Sequence, residues 1–236
     1  MSANPHGISA HPHGSSAHPH GSSAHPHDMP AQPYDLRDPG PDEGATAPRT
    51  WRPLLAEPSV AGLLGDRLVT AALRELRRLV PQPVALHSLR TFLLADAYAQ
   101  TRGIHYDRAG LFVATAFHDT GLTGGGGAPR GGFPGRSAAL LDRFLAGHGV
   151  DDARRAALTR AVREHMRPRP ARNAGPEARL LHFGAWLDVT GRGDRRLPGE
   201  RGRLAALAPT PWFALSFSAR IAACGLRRAL PGRPAV

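Results

Sequence analysis

Hydrophobic residues between Ser59 and Leu76 recur at spacings of three and four, which is the period of a helix with one buried face. Arg74, Arg77 and Arg78 supply a polar face and a cationic last turn, and two prolines follow at 81 and 83. Because proline cannot continue a helix, the pattern predicts one amphipathic helix that begins near Ser59 and ends before Pro81. The apolar positions behind this prediction are Leu63, Leu64, Leu68, Ala71, Ala72 and Leu76.

Later segments carry the same helical signals, several with Asp or Pro at the predicted start and Gly at the predicted end. No stretch alternates convincingly between apolar and polar residues with a period of two, so no sheet is expected. We therefore predict an all-α helical bundle whose functional site lies between its helices. The further predicted helices are 84–100, 107–117, 136–146, 152–166, 176–189 and about 211–230.

The first part of the chain is a repeat of seven residues rich in His, Pro and Gly. It has almost no apolar side chain to bury, so we predict a disordered tail over residues 1–53 and one helical domain over residues 54–231. The motif His-Pro-His occurs three times in this tail, and imidazole pairs on a flexible chain can chelate Zn, Ni or Cu. The tail is either a metal-handling segment or an unselected low-complexity extension.

Composition sets the chemical character of the surface. The 236 residues include thirty arginines and no lysine, and the formal net charge is +11. Arginine binds carboxylates and phosphates through paired hydrogen bonds, which favours anionic substrates or partners. Because the arginines are spread along the chain rather than gathered in one block, the sequence favours solvated arginine faces over a nucleic-acid surface.

Cysteine content and hydropathy indicate the compartment. The single Cys224 excludes an intrachain disulfide and a cysteine-rich metal site. The chain opens with no charged-then-apolar leader, and Arg220 interrupts the most apolar late stretch, residues 212–224, which is too short for a membrane span. We therefore expect a soluble, cytoplasmic protein with no membrane partner.

The strongest chemical signal is the pair His118-Asp119 at the end of a predicted helix. Adjacent residues on a helix point about 100° apart, but at a fraying end both side chains can turn toward one ion. Further candidates lie at separations that fit neighbouring helices: His87, His165 and Asp188. His87 and Asp188, together with the central pair, offer two imidazoles and two carboxylates, which suits a divalent ion such as Zn, Fe, Mn or Co.

Each candidate also has a purely structural interpretation. His87 could be a hydrogen-bonded core residue, and the His118-Asp119 pair could satisfy unpaired backbone groups at a helix end. His165 could be a general base, a substrate ligand, a ligand to a second ion or a helix-capping residue. Asp188 is the hardest to explain structurally, because a carboxylate among apolar neighbours is costly to bury unless it meets a cation or a metal.

Four short motifs stand in order between residues 83 and 191. They are His87-Ser-Leu-Arg90, Ala116-Phe-His-Asp-Thr-Gly-Leu-Thr123, Val162-Arg-Glu-His165 and Pro176-Glu-Ala-Arg-Leu-Leu-His-Phe-Gly-Ala-Trp-Leu-Asp-Val-Thr-Gly191. The series resembles the HD-domain metal-dependent hydrolase superfamily, and most closely its cyanamide hydratase-like branch. The resemblance implies an HD-domain helical bundle with a divalent metal ion. The matching metal ligands are His87, His118, Asp119 and Asp188, and the candidate catalytic residues are His165 and Arg90. Arg90 lies one turn after His87 on the same face, so it could steady Asp119 or Asp188 or face the substrate.

Two loops depart from the pattern of that branch. The segment Phe133-Pro134-Gly135-Arg136-Ser137-Ala138 lacks the acidic residues that relatives usually carry there, and the segment after His165 is rich in arginine. If both loops border the metal, their arginines would suit a phosphate or carboxylate better than a small neutral nitrile, and the alternative is a solvated rim. The arginines concerned are Arg130, Arg136, Arg167, Arg169 and Arg172.

These features together favour an enzyme. We expect a metal-dependent hydrolase or hydratase of a small-molecule substrate, in which the metal activates water and His165 moves a proton. One alternative is a phosphohydrolase that acts on a nucleotide or another phosphomonoester. A second alternative is a non-catalytic metal-handling protein that uses its histidine-rich tail.

Overall fold

The computed structural model describes residues 47–123 and 132–211, together with positions 213, 215, 217–219, 221 and 222. Every regular element in this part of the chain is helical, which confirms the predicted all-α class. Residues 1–46 of the predicted tail and the glycine run at 124–127 lie outside the described residues. The helices are α1 (Arg52–Leu55), α2 (Pro58–Ala61), α3 (Arg67–Leu79), α4 (Gln82–Arg102), α5 (Arg108–Phe117), α6 (Gly132–Gly147), α7 (Asp152–Glu164), α8 (Pro176–Thr190) and α9 (Glu200–Leu207), with 3-10 turns at Thr120–Leu122 and Asp194–Arg196.

The single helix predicted from Ser59 to Pro81 is wrong, because the chain forms two helices there. The short α2 ends at Ala61, and α3 starts afresh at Arg67. The new start is fixed by Asp66, whose carboxylate accepts hydrogen bonds from the N–H groups of residues 68 and 69. Such a cap contributes about 1 kcal/mol to helix stability, and it outweighs the continuous apolar pattern.

Other predicted boundaries shift by smaller amounts. Ordered structure begins before the predicted tail boundary at Pro53, because α1 starts at Arg52 and the Trp51 side chain is buried. Helix α6 begins four residues earlier than predicted, and α9 was not predicted at all. The last predicted helix, 211–230, is helical at the described positions between 213 and 222, and its remainder lies outside the described residues.

Helix α5 lies at the centre of the bundle. All eight of its residues from Gly110 to Phe117 are buried, and it packs against α3, α4, α6, α7 and α8. An Asp107 cap begins the helix, as the sequence predicts, by accepting the N–H of Gly110 at 2.9 Å. The C-terminal end of α5 therefore delivers the residues that follow it, His118 and Asp119, into the interior.

Helices α4 and α8 run antiparallel and approach each other closely at Gly184. A Cβ atom at this position would lie 2.3 Å from the carbonyl oxygen of Thr91, so only glycine fits. One helical turn away from this crossing, His87 of α4 meets Asp188 of α8. No helix in the described part of the chain is long and apolar enough to cross a membrane.

Candidate metal centre

Four of the predicted site residues come from three different helices. His118 is the C-cap of α5 and is followed by Asp119, His165 is the C-cap of α7, and His87 lies in the second turn of α4. The exposed fractions of His87, His118 and Asp119 are 0%, and that of His165 is 2%. Four polar side chains from three separate regions of the sequence thus meet inside the bundle.

Three of these side chains present ligand atoms at the spacing of a metal site. Nε2 of His87 lies 3.1 Å from Nε2 of His118 and 3.4 Å from Oδ2 of Asp119. Nε2 of His118 lies 3.1 Å from the same carboxylate oxygen. A tetrahedral ion with bonds of about 2.0–2.1 Å separates its ligand atoms by about 3.3 Å. His87, His118 and Asp119 form a buried group that could hold a metal ion, here called the metal group.

The second nitrogen of each imidazole is anchored. Nδ1 of His118 and Nδ1 of His165 each donate to the carbonyl oxygen three residues earlier, over 2.7 and 2.6 Å. Nδ1 of His87 donates to Oδ2 of Asp188 over 2.7 Å. Because these oxygens only accept hydrogen bonds, each Nδ1 carries the proton, and in the neutral ring Nε2 carries a lone pair. Helix capping and metal ligation are therefore compatible at His118, since each uses a different ring nitrogen.

Asp119 is a buried carboxylate without a hydrogen-bond partner among the described residues. Both of its oxygens lack one, and so does Nε2 of His165, which lies 3.4 Å from Oδ1 of Asp119. Asp96 shows the contrast, because this equally buried carboxylate accepts hydrogen bonds from Ser59, Gln100, Tyr106 and Arg108. A buried charge needs a partner, and a divalent cation fits the unpartnered atoms of Asp119.

The charge states of the group follow from burial and from the neighbouring carboxylate. Burial lowers the pKa of His87, which favours the neutral ring. Burial also disfavours the charged form of His118, but the adjacent Asp119 raises the pKa of His118 overall. Burial disfavours ionised Asp119, yet His118 and His165 hold its pKa well below the ordinary value. Asp119 is therefore an anion at neutral pH, and a cation and a proton compete for Nε2 of His118.

Asp188 lies outside the group of three, so its role as a metal ligand stays a prediction. Its Oδ2 atom binds Nδ1 of His87, on the side of the ring away from Nε2, and its Oδ1 atom accepts from Nε of Arg90 at 2.8 Å. Despite burial, the hydrogen bonds from His87 and Arg90 lower the pKa of Asp188 to about 2. Asp188 therefore has the cationic partner that a buried carboxylate needs, and its contact with Nδ1 orients the His87 ring.

Arg90 contacts Asp188 and the segment that follows α9. Its guanidinium group donates to both oxygens of Asp188, to the carbonyl oxygen of Ala208 at 2.9 Å and to the hydroxyl of Thr210 at 3.1 Å. The side chain is buried, with an exposed fraction of 3%. Arg90 therefore holds Asp188 in place, which is one of the roles expected for it, and links Asp188 to the segment that follows α9; a catalytic role for Arg90 stays a prediction.

Sequence reasoning missed several contacts of the site. The rings of Phe213 and Phe217 lie 5.1 and 5.4 Å from the ring of His87, and the indole N–H of Trp186 donates to the carbonyl oxygen of His165 at 3.2 Å. The spacing of the two phenylalanines, one helical turn apart, was a usable signal for a buried helix face. The Trp186 contact had no signal, because it depends on how α7 and α8 pack.

Four of the five arginines of the predicted rim lie in the described part of the chain, and two of them line a cavity away from the metal group. Nε of Arg136 donates to the carbonyl oxygen of Gly121 at 2.9 Å, and Arg167 lies 3.5 Å from Glu164. Two further members of the predicted rim line a separate cavity beside α8: Arg169 and Arg172. The fifth member, Arg130, lies outside the described residues.

Comparison with known proteins adds no family to this picture. No protein-family model matches the chain, and no curated protein matches it. Any assignment of function therefore rests on the buried histidine and aspartate group and on the motifs that build it.

Proposed function

We propose that the protein is a metal-dependent hydrolase or hydratase of the HD-domain superfamily, similar to its cyanamide hydratase-like branch, and that it acts on a small molecule. One observation carries the proposal: two imidazole Nε2 atoms and an unpartnered carboxylate oxygen form a buried triangle with sides of 3.1, 3.1 and 3.4 Å. A purely structural cluster would pair its carboxylate with donors, as the buried Asp96 does.

The donor set indicates the kind of ion. Mixed nitrogen and oxygen ligation by His87, His118 and Asp119 suits Zn, Fe, Mn or Co. Three protein ligands are typical of catalytic sites, since structural zinc sites usually have four. When bound, such an ion would lower the pKa of a water molecule and polarise the substrate.

His165 is the residue that we assign to proton transfer. Its Nε2 atom lies beside Oδ1 of Asp119, whereas His87 and His118 lie beside Oδ2 of the same carboxylate. Because Nδ1 of His165 is committed to a backbone carbonyl, Nε2 is the nitrogen that can accept and return a proton. The contact from the Trp186 indole to the backbone of His165 helps to fix the position of this residue.

Metal content of the full-length chain tests the ligand assignment. The tail histidines can bind ions as well, but they are identical in the wild type and in an Asp119→Asn variant. We expect the wild type to carry one more ion per chain than the variant, measured by elemental analysis after exhaustive dialysis. Equal metal content in the two proteins would exclude the proposed site.

A substrate screen then tests the reaction class. Nitriles, including cyanamide, and phosphomonoesters are offered to the metal-loaded wild type, which separates a hydratase from a phosphohydrolase. We expect turnover of one class to disappear in Asp119→Asn and to fall in His165→Gln while the metal content of His165→Gln is retained. Undiminished turnover in Asp119→Asn would contradict the proposal.

A further inference from the structure

A second cavity, separate from the metal group, opens beside the outer face of α8. Its volume is about 1330 Å³, and its walls come from the end of α4, the segment 168–174, α8 and the turn 191–196. None of the four residues around the proposed metal lines it. A cavity of this size exceeds the 300–1,000 Å³ typical of small-molecule sites, so it can accommodate a ligand as large as a nucleotide.

The walls of this cavity are strongly cationic. Six arginines line it, against one carboxylate, that of Asp194. Within the described part of the chain, none of the six forms an ion pair with a carboxylate, whereas Arg154 and Arg155 elsewhere do. Clustered like charges repel one another unless an anion lies between them. The six are Arg169, Arg172, Arg179, Arg192, Arg195 and Arg196.

Aromatic rings line the same cavity. The rings of Tyr98 and Phe183 stack with their centroids 4.0 Å apart, and those of His182 and Trp186 stack at 5.6 Å. The guanidinium group of Arg192 lies over the Trp186 ring, 5.5 Å from its centroid. All four rings are only partly buried, so they offer flat surfaces on which a planar ring can stack.

The turn that carries three of the arginines is held close to these rings. Gly193 has a φ angle of +104°, and a Cβ atom there would lie 2.9 Å from the Phe183 ring. A side chain at 193 would therefore push the turn away from the rings. Glycine keeps Arg192 and Arg195 beside the aromatic surfaces, so that cationic groups and stacking surfaces share one cavity.

From this juxtaposition we propose that the cavity is a second ligand site, and that it binds a phosphate-bearing molecule with a planar ring, of the nucleoside polyphosphate class. The arginines bind the phosphates through charge-assisted hydrogen bonds, and the rings stack with the base. A single concave cavity favours a small molecule over a nucleic acid strand, which is bound along an extended groove. The inference goes beyond the proposed hydrolase function and does not depend on it.

Calorimetry with the full-length protein tests the site, using ATP, tripolyphosphate and adenosine as separate probes. The buffer contains EDTA at pH 8, so that no free metal ion links ATP to the protein and the tail histidines are neutral. We expect ATP to bind more tightly than tripolyphosphate and far more tightly than adenosine. An Arg192→Gln/Arg195→Gln variant should bind ATP at least about tenfold more weakly, because it loses two charged hydrogen-bond donors.

A matched control removes the same charge elsewhere. Arg143→Gln/Arg163→Gln also loses two exposed arginines, from α6 and α7, which lie outside the cavity. We expect this control to change ATP affinity by less than about twofold. Trp186→Leu should weaken the binding of ATP but not the binding of tripolyphosphate. Circular dichroism establishes that each variant is folded.

Three outcomes overturn the proposal. Equal weakening in both arginine pairs would show that ATP binds only through the overall positive charge. Equal affinity for ATP and tripolyphosphate, with no effect of Trp186→Leu, would exclude stacking of the base on the aromatic rings and would identify a site for polyanions in general. Affinity for oligothymidylate that exceeds that for ATP and grows with strand length would identify a nucleic-acid surface instead.

Discussion

Asp119 and Asp188 are both buried carboxylates near His87, yet their surroundings give them different roles. Asp119 lies at the Nε2 side of the ring and has no hydrogen-bond partner among the described residues, whereas Asp188 lies at the Nδ1 side and is bound by Arg90. The first belongs to the group that could hold a cation, and the second orients the His87 ring through Nδ1. The side of an imidazole that a carboxylate reaches therefore decides its function.

This difference can be tested with matched amide substitutions. Asp119→Asn should abolish the domain-bound ion. Asp188→Asn should keep the ion but weaken its affinity by about 10–100-fold, the usual effect of losing a carboxylate that orients a ligand histidine. Titration with a competing chelator gives both affinities. Complete loss of the ion in Asp188→Asn would restore Asp188 as a direct ligand.

The sequence indicated which residues matter but not how each one acts. The cost of burying a carboxylate at 188 was predictable from its apolar neighbours, and the partners turned out to be His87 and Arg90. Whether that carboxylate faces Nδ1 or Nε2 depends on the packing of α4 against α8 to within an ångström. A residue pattern contains no such distance.

At the level of elements, the crossing of α4 and α8 sets the geometry of the site. Gly184 allows the backbone of α8 to approach Thr91, one turn from the contact between His87 and Asp188. Gly184→Ala should lower the free energy of unfolding by about 1–3 kcal/mol through overpacking, and it should weaken metal binding. Thermal or denaturant unfolding measures the first effect and chelator titration the second.

Gly202 provides the control for this substitution. It lies in α9, and a Cβ atom there would meet nothing within 4 Å. Gly202→Ala should therefore leave metal binding unchanged and stabilise the protein by about 0.4–1 kcal/mol, because alanine has less conformational freedom in the unfolded chain. Similar losses of stability and of metal binding in Gly184→Ala and Gly202→Ala would mean that the close contact at Gly184 has no special role.

An ion pair between Glu57 and Arg203 joins the N-terminal helices to α9, with two N–H···O distances of 2.8 Å. The hydrogen bond from Arg203 lowers the pKa of Glu57 below 4.5 in the folded protein. The stabilisation is therefore fully present above the unfolded pKa and is lost as the pH falls through the folded one. Glu57→Gln should cost about 0.5–1 kcal/mol at pH 7, and less below pH 4.

Urea unfolding at pH 7 and below pH 4 measures how the cost of Glu57→Gln depends on pH. Glu75→Gln, which removes the exposed pair between Glu75 and Arg78 within α3, is the control and should cost at most about 0.5 kcal/mol. A cost for Glu57→Gln that does not change with pH would contradict the ion-pair explanation.

Helix prediction succeeded where local chemistry decides and failed where tertiary contacts do. The Asp107 cap and the end of α5 at His118 were predictable, because capping residues act within one turn. Helix α9 has no continuous apolar face, with Leu204 as its one buried residue, so its sequence pattern carried no helical period. The outward placement of Arg169 and Arg172 likewise follows from the path of the chain after α7 and not from composition.

At the scale of the whole molecule, the metal group brings lone pairs and a carboxylate together without a hydrogen-bond donor among the described residues. A bound ion should therefore stabilise the fold, and its removal with a chelator should lower the melting temperature. At a free zinc concentration of 100 times Kd, the free energy of unfolding should rise by about 2.7 kcal/mol. Asp119→Asn should not respond, and an equal response in both proteins would assign the effect to the tail histidines.

The complete burial of His87, His118 and Asp119 also has a kinetic consequence. These side chains have no exposed surface in the described structure, so an ion can enter or leave only when neighbouring groups move, and the rings of Phe213 and Phe217 are among the neighbours of His87. Exchange of an isotopically labelled ion should thus be slow and should follow the rate of local opening. A protein loaded with one metal during folding would keep that metal long after the supply in its surroundings has changed.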